Sequence, residues 1–261
     1  MRLNILIGGK AGQGINKVSG IVSKILINQG YFIFNYRDYP SIIRGGHNFN
    51  VLSISDKEIS SHESKIDILI ALDELTKQIH KDEIKKNGII IDYKDFLRFG
   101  LNLNIALSGV LTKILGIPLK MLLAEVKKNL STNNKQSLIA ATAGYNSQSN
   151  KYYLKKLKNQ LSLMSGSQAV SIGAINSKID LYFAYPMTPA TNTLHELAAK
   201  QLEHNFMTFQ PEGEIAAVNM ALGASFSGAK VMVGTSGGGF DLMSEGLSLQ
   251  GISEIPLVVY L

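Results

Sequence analysis

The chain has 261 residues, 45% hydrophobic and 18% charged, with no cysteine and a formal net charge of +6. That length accommodates two ordinary domains with packed cores, and no apolar run is long enough to span a bilayer, so a cytoplasmic protein is expected. The lack of cysteine excludes disulfides, thiolate catalysis and a cysteine-ligated iron–sulfur cluster on these residues.

Residues 3–7 read as a strand, followed by Gly8-Gly9-Lys10-Ala11-Gly12-Gln13-Gly14 and an amphipathic helix over 15–27. Strand, glycine loop and helix can hold an anion: glycines let backbone N–H groups approach, and the helix start adds partial positive charge. Gly9, Gly12 and Gly14 are therefore a candidate anion loop, with a plain tight turn as the alternative. Gly9 and Gly14 have P-loop spacing, but Ile15-Asn16 stands where Lys-Ser/Thr is required; Gly12 and Gly14 begin a dinucleotide fingerprint whose third glycine is replaced by Lys17. A second strand is expected over 31–36, then a polar loop carrying Arg44, Gly45 and Gly46, which is read as an inter-domain or active-site loop. Strands over 49–55, 66–72 and 88–91, with helices over 74–86, 105–115 and 119–130, complete a first α/β unit spanning 1–150.

Residues 145–151 are polar and turn-rich, and 152–163 are lysine-rich with little periodicity, so 151–165 is expected to be a linker. The charge balance changes there. Residues 1–165 carry 23 basic and 12 acidic side chains, whereas 166–261 carry 3 and 8. The lysines of the first half are scattered, without interleaved aromatics, so no nucleic-acid partner is expected. His195-Glu196 begins like a zinc-protease helix, but Ala199 stands where the second histidine belongs, and no metal site is expected on this chain.

The second unit, 166–261, opens with a small-residue helix over 166–176. Strands over 181–185, 206–209, 230–233 and 255–261 then alternate with helices over 191–204, 214–226 and 241–249. That alternation means a parallel sheet with helices on its faces, and such sheets bind ligands outside the carboxyl ends of their strands. The punctuated segments Tyr185-Pro186-Met187-Thr188-Pro189, Gln210-Pro211-Glu212-Gly213-Glu214 and Gly234-Thr235-Ser236-Gly237-Gly238-Gly239 all fall at that edge. The apolar run 255–261 would need a covering helix, so this unit is expected to be incomplete at its C-terminus or covered by a partner.

Those three segments, taken together, resemble the pyrimidine-binding domain of 2-oxoacid:ferredoxin oxidoreductase α subunits. Gly12-Gln13-Gly14-Ile15 and Pro40-Ser41-Ile42-Ile43-Arg44-Gly45-Gly46-His47-Asn48 resemble the γ domain of the same enzymes, and the order γ then α is that of the fused α subunit. The resemblance covers nearly the whole chain. It implies a thiamine-diphosphate-dependent oxidative decarboxylation of a 2-oxoacid to an acyl-CoA, with coenzyme A as co-substrate and electrons passed to ferredoxin. Glu214 is implied as the catalytic carboxylate facing the aminopyrimidine, with Glu212 as second candidate and Ser236 and Gly237 beside the cofactor. Thr188, Tyr185 and Pro186 are implied as substrate contacts. The diphosphate and Mg²⁺ motif is missing, as are cluster cysteines, so the resemblance places Mg²⁺ and a [4Fe–4S] cluster on a β subunit. It further implies an (αβ)₂ hetero-oligomer that is inactive without that partner.

Two other readings compete. Gly234-Thr235-Ser236-Gly237-Gly238 fits the Gly-x-Ser-x-Gly elbow of α/β-hydrolases with Ser236 as nucleophile, although no histidine follows it. A non-catalytic nucleotide-binding module using residues 8–14 is the other.

Overall fold

The computed structural model describes residues 1–40, 46–128 and 135–261, and the chain divides into two compact units, Met1–Leu163 and Met164–Leu261. Of the polar loop expected to be functional, Gly46 is an exposed bend with φ 67°, whereas Arg44 and Gly45 lie outside the described residues.

The first unit is built on five strands: β1 (Arg2–Gly9), β2 (Phe32–Asp38), β3 (Asn48–Ser55), β4 (Ile66–Ala71) and β5 (Ile84–Asp92), in the order β2-β3-β1-β4-β5. β1, β4 and β5 are parallel, whereas β3 runs antiparallel to both β1 and β2. Neighbouring strands joined by so short a connection as that between β2 and β3 must run antiparallel, because a parallel pair needs a crossover of a dozen residues or more. The helices are α1 (Ile15–Asn28), α2 (Glu74–His80), α3 (Leu103–Ile114), α4 (Leu119–Lys128) and α5 (Lys135–Asn146). α1 buries Val18, Ile21, Val22, Ile25 and Leu26 against the sheet, as their spacing predicts.

Two expectations need correction here. The helix read over 74–86 stops at His80; after a 3₁₀ turn at Lys81–Glu83 the chain is already strand, with Ile84 paired to Ile66. The sheet ladder captured Ile84 in preference to another helical turn. Residues 151–163 contain no helix or strand, but they are fastened along the first unit. Leu157 N–H donates to Gln29 O at 2.8 Å, Tyr31 Oη to Lys155 O at 2.9 Å and Asn159 Nδ2 to Gly30 O at 2.9 Å, and Leu154 is buried.

The second unit starts at α6 (Gly166–Asn176), whose capping box pairs Ser165 with Gln168. Then come β6 (Leu181–Ala184), α7 (Thr191–His204), β7 (Met207–Phe209), α8 (Glu214–Phe226), β8 (Val231–Gly234), α9 (Gly238–Leu242), α10 (Ser244–Ser253) and β9 (Val258–Tyr260). The sheet is wholly parallel, in the order β7-β6-β8-β9. One face packs Phe183, Val231 and Val233 against Val218, Ala221 and Leu222 of α8; the other packs Tyr182 and Met232 against Ala174, Leu194 and Leu197 of α6 and α7. The helix expected over 241–249 is two helices that break at Met243, a fully buried residue. The last strand covers only Val258–Tyr260 of the expected 255–261, with Ile255 packing in the core before it.

Candidate active site

Register brings the three punctuated segments to one edge. Phe183 pairs with Phe209 and Ala184 with Gly234, so β6, β7 and β8 end nearly flush, and the loops that follow all leave from the carboxyl end of the sheet. Two of the loops are tied together directly: Ser236 Oγ donates to the carbonyl oxygen of Thr188 at 2.8 Å. Tyr185 and Thr188 are exposed and Pro186 half-buried, and the Thr188–Pro189 bond is cis.

The two candidate glutamates are in different environments. Glu212 is exposed, whereas Glu214 is 6% exposed and is the first residue of α8. Its N-cap is Gly213, which offers no capping side chain, so the helix start is left for the Glu214 carboxylate to complement. Among the described residues this carboxylate makes no hydrogen bond or ion pair. Neither of its oxygens is among the fully buried polar atoms left without a partner, so the tip of the carboxylate opens to solvent at the sheet edge, where a bound group can reach it.

The wall behind Glu214 is Gly239. A Cβ there would lie 2.8 Å from Glu214 Oε1, 3.0 Å from its Cγ and 2.2 Å from Thr235 Oγ1. Thr235 is fully buried and its hydroxyl has no hydrogen-bond partner, although its backbone N–H donates to Tyr260 O at 3.0 Å. Sequence reading singled out neither Thr235 nor Gly239 as a site residue. The available signal was a glycine in the first turn of a helix, a position that has no torsional need of one. Gly237 is different: it is exposed and has a positive φ of 48°. Behind the edge, the Tyr182 hydroxyl reaches under Gly234 without a partner, and burial pushes its pKa well above the usual phenol range.

Ser236 is not arranged as a nucleophile. Its hydroxyl hydrogen is committed to the Thr188 carbonyl, and no histidine or carboxylate bonds to it among the described residues, whereas an elbow serine needs a base within hydrogen-bond reach. The glycine loop of the first unit closes on itself. Lys10 N–H donates to Gln13 Oε1 at 2.6 Å and Gln13 N–H to Lys10 O at 3.1 Å, while Gly12 and Gly14 take φ of 93° and 89°. A Cβ on Gly9 would meet Gln13 Oε1 at 2.5 Å. Two of the N–H groups an anion would use are thus already taken.

Residues 4–162 match the family described as pyruvate ferredoxin/flavodoxin oxidoreductase. The chain belongs to this family. Residues 172–261 match the thiamine diphosphate-binding part of the same oxidoreductases, so the edge built by β6, β7 and β8 lies within that part. Among relatives, the 2-oxoacid:ferredoxin oxidoreductase subunit alpha of Sulfolobus sp is 27% identical over 99% of this chain and 54% of its own length. The 2-oxoglutarate synthase subunit KorA of Archaeoglobus fulgidus is 37% identical over 39% of this chain and 29% of its own. The chain therefore spans about half the length of the first of these oxidoreductase relatives. A solved 2-oxoglutarate:ferredoxin oxidoreductase from Magnetococcus marinus superposes with a TM-score of 0.85 at 22% identity, covering 99% of this chain and 51% of that one, which establishes that the two share a fold.

The residues present fit a thiamine ring. The aminopyrimidine needs a carboxylate at a ring nitrogen, and Glu214 offers one that is buried, at a helix start and without a protein donor. Among the described residues there is no group of three or more His, Asp or Glu placed to hold a metal ion, and no helix is long and apolar enough to cross a membrane.

Proposed function

We propose that this chain contributes the pyrimidine half of a thiamine diphosphate site in a 2-oxoacid:ferredoxin oxidoreductase. The observation that carries the reading is Glu214, a largely buried residue at the start of α8 whose carboxylate has no protein partner among the described residues and opens at its tip to the sheet edge. When bound, thiamine diphosphate supplies the electron sink for cleaving the bond between the keto carbon and the carboxylate of a 2-oxoacid. Glu214 would face the pyrimidine N1′ and share one proton with it, and Ser236 and Gly237 would line the ring. Glu212, exposed two residues earlier and ahead of the helix, adds negative charge at the rim. Thr188, Tyr185 and Pro186 face the substrate, and the bond from Ser236 to the Thr188 carbonyl keeps their loop at the sheet edge.

The remaining parts belong to a partner. A β subunit holds the diphosphate with its Mg²⁺ and a [4Fe–4S] cluster, coenzyme A takes the acyl group, and ferredoxin takes the electrons. The assembly is a cytoplasmic (αβ)₂ hetero-oligomer, and this chain does not turn over alone. Residues 1–150, with 151–163 fastened along them, act as the γ-like domain and 166–261 as the pyrimidine-binding domain.

The test is exchange of the cofactor C2 proton into D₂O in the assembled complex. Glu214→Gln keeps the shape of the side chain and removes its basicity, so exchange and kcat should fall by about 10²-fold or more, while Glu212→Gln changes little. Normal exchange in Glu214→Gln with slow exchange in Glu212→Gln would reassign the carboxylate. Normal exchange in both would remove the thiamine reading.

A further inference from the structure

The first unit contains a chain of titratable groups that the proposed chemistry does not use. His80, the last residue of α2, is 3% exposed. Its Nδ1 lies 2.8 Å from a Glu83 carboxylate oxygen, and its Nε2 lies 2.8 Å from Nε2 of His47. Phe49 packs on both rings, with centroids 4.8 Å from His80 and 5.5 Å from His47. His47 immediately precedes β3, and its Cε1 is 3.3 Å from where a Cβ on Gly8 would stand. The cluster therefore borders the carboxyl end of β1, where the glycine loop begins.

Proton accounting fixes the neutral arrangement. An ionised carboxylate only accepts, so His80 donates from Nδ1 to Glu83. The Nε2 of a neutral His80 then accepts from Nε2–H of His47. That leaves the lone pair of His47 on Nδ1, which is buried and without a hydrogen-bond partner. One added proton, whichever ring carries it formally, leaves His47 Nδ1 with a hydrogen and no acceptor, which is unfavourable in a buried place. A second added proton sets N–H against N–H across the 2.8 Å contact.

We propose that Glu83, His80 and His47 form an acid-sensitive latch that fastens the start of β3 to the end of α2. The charged groups around His47 are His80 on α2, Asp73 at the head of α2, Asp38 at the end of β2, and Glu83. The carboxylates favour a charged ring, but burial first and His80 second outweigh them and hold His47 below the ordinary histidine range. The unfolded chain takes up this proton near the ordinary value of about 6.5. Between that pH and the lower folded value, the unfolded state binds more protons, so stability is lost as pH falls through this window. The first strand pairs to loosen are Gly9 with Asn48 and Gly8 with Phe49, so acid frees the root of the glycine loop.

Amide hydrogen exchange on the full chain tests the latch, at about pH 7.5 and about pH 5.5 after correction for intrinsic rates. Peptides covering residues 8–14 and 46–49 should lose protection in acid, by up to about tenfold, the limit set by working one pH unit below the unfolded value of about 6.5. In the double variant His47→Gln/His80→Gln the amides can still bond but cannot titrate, and this acid-dependent loss should vanish. His62→Gln removes a histidine that stacks on Tyr36 at 4.7 Å and stands outside the chain of bonds, so it should behave as wild type. Unchanged protection of the wild type in acid, or an equal loss in the double variant, overturns the proposal. If the double variant does not fold, imidazole nitrogen NMR of the wild type decides. Coupled titration of the two rings supports the latch, and two independent titrations sink it.

Discussion

Gly239 has ordinary helical torsions, so space rather than backbone geometry requires a glycine there. With Glu214 Oε1 and Thr235 Oγ1 both inside contact distance of the missing Cβ, Gly239→Ala must displace one or both. Overpacking of this kind costs about 1–3 kcal/mol, and a urea titration should show the midpoint falling by the corresponding amount. A midpoint equal to wild type would mean that the carboxylate is not seated against this residue. The motif segments around Tyr185, Glu214 and Ser236 were legible in the sequence because each sits at a strand-to-helix junction. The resemblance ranks Glu214 above Glu212, and the fold adds a physical difference between them: Glu212 is exposed ahead of α8, whereas Glu214 is its first residue and is buried. Thr235 and Gly239 were invisible as site residues because their importance lies in facing a side chain on another helix.

At the level of elements, the apolar strands and most helices could be read from spacing; α7 and α8 coincide with the predicted spans. α5 could not. Its sequence, Lys-Gln-Ser-Leu-Ile-Ala-Ala-Thr-Ala-Gly-Tyr-Asn, has little amphipathic pattern because it packs through small residues rather than through a wide apolar face. α3 and α5 meet backbone to backbone: a Cβ on Gly144 would stand 1.9 Å from Ala106 O, and one on Gly109 would stand 2.2 Å from Ala141 O. Neither obstacle is a flexible side chain that could swing aside. Gly144→Ala should therefore force the helices apart and destabilise the first unit by about 3 kcal/mol or more, at or beyond the upper end of ordinary overpacking. Gly173→Ala in α6, where nothing lies within 4 Å of the added carbon, serves as the comparison and should be neutral or slightly stabilising. Thermal unfolding of both variants checks the difference. The truncation of α2 at His80 was likewise beyond the reach of sequence, since it depends on Ile84 finding Ile66 across the sheet.

For the whole molecule, the division at residues 163 and 164 suggests two fragments, each with its own core. The first should be taken through residue 163, because Leu154, Leu157 and Asn159 are fastened to it. Strand order then governs how the fragments behave at high concentration. The outer strands of the first sheet, β2 and β5, carry Arg37, Asp38, Lys85 and Lys86. Those of the second, β7 and β9, read Met-Thr-Phe and Val-Val-Tyr, with no charge and with Met207, Phe209 and Val258 exposed by 55, 43 and 61%. Uncharged open edges recruit further strands, and lysine on an edge is a common way of preventing it. Fragment 164–261 should therefore scatter light at concentrations where fragment 1–163 stays clear, and Phe209→Lys should delay the turbidity. Equal clarity of the two fragments would show that charge on the outer strands is not what keeps these sheets from polymerising.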